Sequence, residues 1–149
     1  MSSLEPGAVI GDRYEILSLI KAGGMGAVYH ARDVRGGPLV ALKEMLHSFP
    51  YEVDRNLIYK KFEEEARLLE LLNHPSIPRV LAHFARGDNY YIVMEYIEGE
   101  SLEQLLDDYL TLTRKPMPPP LVVECAMLLC PILQYLHSQP RPIIHRDIK

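Results

Sequence analysis

The spacing of apolar residues changes period near Asn56, and that switch limits the folds open to this 149-residue chain. Before it, apolar side chains fall mostly at alternate positions. "RYEILSLI", "GAVYHARD" and "LVALKEM" (13–20, 26–33 and 39–45) each read as a strand, and "GGP" at Gly36 to Pro38 marks a turn. After it, "NLIYKKFEEEARLLELLNH" repeats at the helical period and stops at Asn73-His74-Pro75. "IPRVLAHFA" and "NYYIVMEYI" return to a strand pattern around "RGDN", a turn composition. From Ser101 the chain turns helical. "SLEQLLDDYL" opens on a capping box, Ser101 with Gln104. "TRKPMPPP" reads as a linker that cannot be helical, and "LVVECAMLLCPILQYLH" is apolar almost all round, as in a buried helix kinked at Pro131. The expected class is α+β: a small antiparallel sheet of about five strands with one main helix, then further helices.

Composition narrows the function. A formal net charge of −4 gives no reason to expect a nucleic-acid or membrane-surface partner. No apolar run stands out as a membrane-spanning segment, and the N-terminus lacks a basic region followed by an apolar core. Cys125 and Cys130 sit five apart in one apolar segment, which suits buried thiols better than a zinc or redox motif. A cytoplasmic chain is expected.

Four local features carry chemistry. In "KAGGMGAV", Gly23, Gly24 and Gly26 make a loop without side-chain bulk, able to bring N–H groups against phosphate oxygens or simply to turn a hairpin. In "VALK", Lys43 shares a strand face with small Ala41, leaving room for a flat ligand; otherwise it snorkels to solvent. On the helix, Ile58, Phe62, Leu69 and Leu72 form a stripe with Glu65 near its centre. A carboxylate there either pairs with a cation, for which the sequence offers Lys43, or reaches solvent past a loose edge. In "IIHRDIK", Asp147 could accept a hydroxyl proton, Lys149 could neutralise a phosphate, Arg146 could bind a second anion and His145 could pack beneath the loop. A solvated charged turn is the bland alternative.

In this order the features resemble the signature of the eukaryotic-type protein kinase family, especially its bacterial serine/threonine branch. "GGMGAVYHARD", "FEEEARLLELLNHPSI", "YYIVMEYIEGESL" and "IIHRDIK" carry the resemblance, which runs from Tyr14 to Lys149. It implies an N-terminal extension over 1–12, a kinase N-lobe and hinge over 13–99, and the start of a helical C-lobe over 100–149.

The resemblance also implies roles. Ile20, Ala22, Gly23, Gly24 and Gly26 would cover the ATP phosphates and base, with Val28 and Ala41 packed on adenine. Lys43 would contact the α- and β-phosphates and pair with Glu65. Met94 holds the gatekeeper position, while the Glu95 carbonyl and the Ile97 N–H would bind the adenine edge. Asp147 would orient the acceptor hydroxyl as catalytic base, Lys149 would stabilise the transferred phosphoryl group, and Arg146 would face an activation-loop phosphate.

The chain departs from the pattern at Lys21, where the family carries glycine, so the Ile20-Lys21 step must turn without glycine's freedom or stay in ordinary β geometry. The family's Mg²⁺ ligands would fall beyond Lys149, so the expectation is a kinase portion cut just after the HRD motif, inactive alone, with no metal ligand of its own. The implied partners are ATP, Mg²⁺ and a protein bearing serine or threonine, since "HRDIK" favours protein over small-molecule substrates. A non-catalytic nucleotide-binding or interaction module is the first alternative, and an unrelated α+β domain the second.

Overall fold

The structure is a computed structural model that describes residues 4–23, 26–45, 55–87 and 89–144. The chain divides into two compact units, Met1–Ile97 and Glu98–Lys149.

The first unit is a six-stranded antiparallel sheet with one helix. Strands β1 (Val9–Ile10), β2 (Tyr14–Gly23), β3 (Gly26–Asp33), β4 (Leu39–Met45), β5 (Val80–Arg86) and β6 (Asn89–Glu95) lie in the order β1-β2-β3-β4-β6-β5. The helix α1 spans Arg55–Glu70. Period-2 alternation gives the sheet two apolar faces. On one, Tyr14, Ile16, Tyr29, Ala31, Val40, Leu42, Tyr91 and Val93 form the main core. On the other, Phe62 and Ala66 of α1 pack with Tyr90 and Ile92 of β6. This explains the unbroken apolar run "YYIV": β6 is buried on both faces.

The sheet holds one strand more than the sequence suggests. Val9 and Ile10 pair with Glu15 and Tyr14, so part of the segment set apart as an extension belongs to the sheet. The Gly7 N–H donates to the Ile16 carbonyl at 2.8 Å, the Ile16 N–H to the Ala8 carbonyl at 2.8 Å, and the Leu4 N–H to the Tyr29 hydroxyl at 3.1 Å. A two-residue strand is too short to leave a periodic signal.

A charged corner closes the β2–β3 hairpin at its open end. Arg13 donates through Nε and Nη2 to Asp33 Oδ2 at 3.0 and 2.7 Å, and the Arg35 N–H donates to Oδ1 at 3.1 Å. Gly37 lies against the Asp33 side chain with no room for a Cβ, which accounts for glycine in the "GGP" turn.

The helix carries a correction. Phe62 and Ala66 are buried, but Glu65 is exposed. Helix α1 ends at Glu70, so Leu72 lies outside it and does not belong on its wheel. At about 100° per residue, the stripe through Phe62, Ala66 and Leu69 then leaves Glu65 at its margin. Its neighbour Glu63 accepts from Tyr59 and Arg67 at 2.7 and 3.4 Å.

The second unit contains α2 (Leu102–Thr113) and α3 (Pro119–His137). Both capping-box bonds are formed: the Gln104 N–H donates to Ser101 Oγ at 3.2 Å, and the Ser101 N–H to Gln104 Oε1 at 2.8 Å. The proline linker is shorter than expected because Pro119 and Pro120 enter the first turn of α3, where a missing N–H leaves nothing unsatisfied. Pro131 stays inside the helix.

Apolar almost all round and so suited to burial, α3 is nevertheless largely open to water. Only Leu136 is buried, while Leu121, Val122, Val123, Met127, Leu128 and Leu129 are exposed, as is Cys130. The described part of this unit has one other helix, α2, whose own leucines also face water; the cover that α3 has lies near its C-terminal end, where Leu136 is buried and its carbonyl accepts from the Ile143 N–H at 3.0 Å. The 19-residue α3 has a mean hydropathy of 1.5 over its most apolar 18 residues, long and apolar enough to cross a membrane by those two measures, as core helices also are.

Candidate functional site

The candidate site grows from the strand register. Val28 lies opposite Lys43, and Lys43 opposite Ile92; His30 lies opposite Ala41, and Ala41 opposite Met94. Directly opposed residues share a face, so Val28, His30, Ala41, Lys43 and Met94 line one surface of the sheet. Ala41 is buried between its larger neighbours and Lys43 is exposed, so a small apolar floor lies beside a solvent-exposed lysine.

The Gly-rich hairpin roots in this surface. Ala22 pairs with Ala27, and Gly23 with Gly26. Gly24 lies outside the described residues. Among the described residues, nothing lies within 4 Å of where a Cβ on Gly23 would stand. Gly26 has φ +141° and rests against the Glu44 carbonyl with no room for a Cβ, so only glycine fits there. Lys21 keeps ordinary strand geometry, paired with Val28, and Ile20 is the extra residue of a bulge between Leu19 and Lys21. The residue at the family's glycine position thus stays in ordinary strand pairing, directly after a register shift.

At the far end of β6, Glu95 is held by Arg79. The Arg79 N–H donates to Glu95 Oε2 at 3.0 Å and its Nε to Oε1 at 2.8 Å, while the Glu95 N–H donates to the Arg79 carbonyl at 3.0 Å. The Arg79 amide, then its guanidinium, hold the Glu95 carboxyl below the usual range. Ile97, two residues on, is exposed.

Lys43 and Glu65 are both exposed, and among the described residues no ion pair joins them. His145, Arg146, Asp147 and Lys149 lie outside the described residues. No group of three or more His, Cys, Asp or Glu among the described residues could hold a metal ion.

Two features escape sequence reasoning. The ring of His30 stacks on Tyr96 at 4.2 Å and 21°, and His30 Nε2 is buried with no hydrogen-bond partner among the described residues. Glu44, beside Lys43, is buried on the opposite face of β4. Tyr91 donates to its Oε1 at 2.8 Å, Asn89 Nδ2 to the same oxygen at 2.9 Å, and Tyr29 to Oε2 at 3.2 Å. Burial raises both phenol pKa values, that of Tyr91 to about 12, so both stay protonated and able to donate. The signal for Glu44 was the alternation Val40, Leu42, Glu44 on one strand face.

Comparison with known proteins agrees with this architecture. The family model described as "Protein kinase domain" matches residues 14–149. The serine/threonine-protein kinase pkn2 of Myxococcus xanthus is 36% identical over 141 residues, covering 95% of this chain and 16% of that protein. The probable serine/threonine-protein kinase YbdM of Bacillus subtilis is 30% identical, covering 98% of this chain and 54% of that one. The crystal structure of the PknI kinase domain of Mycobacterium tuberculosis shares the fold with a TM-score of 0.78 at 21% identity, covering 99% of this chain and 55% of that one. The chain thus spans about half or less of the proteins it matches. With the matched model running from the first long strand to the last residue, the chain belongs to the protein kinase family, in its bacterial serine/threonine branch.

Proposed function

We propose that this chain forms the nucleotide-binding part of a serine/threonine protein kinase that transfers the γ-phosphoryl group of ATP to protein hydroxyls. The observation that carries the reading is the shared face of Val28, Ala41, Lys43 and Met94 at the root of the Gly-rich hairpin. A flat base suits the small Ala41 floor. Exposed Lys43 suits phosphate oxygens, and Gly26, which tolerates no Cβ, keeps the hairpin close to β4. Bound ATP supplies the reactive phosphoryl group. The chain's own residues hold the base against Val28 and Ala41, read its edge along Glu95 to Ile97, and neutralise phosphate charge through Lys43. Asp147, as the base that orients the acceptor hydroxyl, and Lys149, on the transferred group, complete the proposal on sequence grounds. Mg²⁺ would accompany the nucleotide and neutralise phosphate charge, on ligands that the family carries past the HRD motif. This reading assigns the protein to the cytoplasm.

The test is phosphate transfer by the full-length protein to a serine/threonine peptide, with equilibrium ATP binding measured in parallel. Lys43→Met is expected to weaken binding and abolish transfer. Asp147→Asn is expected to retain binding and lose most turnover, because it removes a transition-state contact and no ground-state one. Wild-type ATP affinity in Lys43→Met, or full turnover in Asp147→Asn, would overturn the assignment.

A further inference from the structure

Glu44 is an odd occupant of its place. It follows Val40 and Leu42 on the core-facing side of β4, where an apolar side chain would avoid desolvating a carboxylate. Among the described residues no cation pairs with it. Its oxygens are satisfied by Tyr29 on β3, Tyr91 on β6 and Asn89 at the start of β6. One side chain therefore ties the end of β4 to the strands on either side.

Two further contacts extend the tie. The Glu44 carbonyl is the atom against which Gly26 rests. The Tyr29 hydroxyl that donates to Glu44 also accepts the Leu4 N–H at 3.1 Å. Residues 4–10 are thereby connected, through one phenol and one carboxylate, to the strand position next to Lys43. The same segment is pinned by the Ile16–Gly7 and Ile16–Ala8 backbone bonds and by Arg86 Nη1, which donates to the Val9 carbonyl at 3.0 Å.

We propose that Glu44 is a positioning residue for Lys43 and for the root of the Gly-rich hairpin, and that the docked N-terminal segment acts on nucleotide binding through Tyr29 and Glu44. The proposal rests on the nucleotide reading of the Lys43 face. Docking of residues 4–10 and binding at Lys43 then favour one another, and the coupling is reciprocal. A change that only weakened the fold would lower the melting temperature and leave the affinity of folded protein untouched.

The experiment uses full-length protein in two arms. Without nucleotide, amide hydrogen exchange is followed at Leu4, Gly26 and Lys43 in wild type, Tyr29→Phe and Glu44→Gln. Tyr29→Phe removes the bridge but keeps the ring, and is expected to speed exchange at Lys43 as well as Leu4 by about fivefold or more. Faster exchange at Leu4 alone overturns the coupling. In the second arm, ATP affinity is measured by calorimetric titration. A loss of about fivefold or more is expected in Tyr29→Phe and Glu44→Gln. The combined variant Glu44→Met, Tyr29→Phe, Tyr91→Phe replaces the buried partners together by apolar groups, leaves the part-buried Asn89 amide to water, and should fold with near-wild-type stability. It should still bind ATP more weakly, and wild-type affinity in that folded variant overturns the proposal. Wild-type protein that fails to bind ATP would instead refute the nucleotide reading, and the exchange arm alone would then decide the coupling.

Discussion

Gly26 lies against the backbone carbonyl of Glu44 so closely that no Cβ fits between them. With φ at +141°, the position is closed to other residues on two counts. Gly26→Ala should destabilise the first unit by at least about 1–3 kcal/mol. Gly23, three residues earlier, meets no described atom within 4 Å of a built Cβ, and Gly23→Ala should stay within about 1 kcal/mol of wild type. Urea unfolding of both variants checks the contrast, and equal losses would contradict the geometry.

The face of α1 yields a second contrast. Phe62 is buried against Tyr90, ring centroids 4.9 Å apart, and Phe62→Ala should cost about 3–5 kcal/mol. Glu65 is exposed, so Glu65→Ala should change stability by no more than about 0.5 kcal/mol. Thermal melts followed by circular dichroism distinguish the two.

Asp33 makes the hairpin corner sensitive to acid. The Arg13 guanidinium, ahead of the Arg35 amide, holds its carboxyl below the usual aspartate range. A depressed folded-state pKa contributes stability that is present above the unfolded value of about 3.9 and lost as pH falls through the folded one. The stability difference between wild type and Asp33→Asn should therefore be level from neutral pH to about 5, shrink below about 4, and vanish in stronger acid. Denaturant midpoints across a pH series give the measurement.

Helix α2 buries none of its residues, so its start depends on local bonds. Ser101→Ala removes the acceptor of the Gln104 N–H and should cost the helix about 0.5–2 kcal/mol, read as lost helical signal and faster amide exchange at Gln104. Ser101→Asp should restore both.

Much of this architecture is legible in the sequence where the pattern is long enough to repeat. "GAVYHARD" and "LVALKEM" coincide with β3 and β4 because each alternates over a whole strand. The same alternation places Ala41 and Lys43 together on the candidate site. It also places Glu44 on the core side, but a carboxylate there has meaning only once Tyr29 and Tyr91 are known to reach it from other strands. Glu65 falls at the margin of the α1 stripe and not near its centre because the helix ends before Leu72, a boundary the apolar periodicity alone does not mark. The exposure of α3 has a different origin: its composition says what the helix can hide, but not what is present to hide it.

The exposed apolar side of α3 has a calorimetric consequence. The heat-capacity increment of unfolding comes mainly from apolar surface newly given to water, about 0.45 cal/K/mol per Å². Leu121, Val122, Val123, Met127, Leu128 and Leu129 are in water already, as are the leucines of α2. Melting of these helices should therefore add little to the increment. The curvature of the stability curve, and with it the temperature of greatest stability, would be set by the sheet and α1.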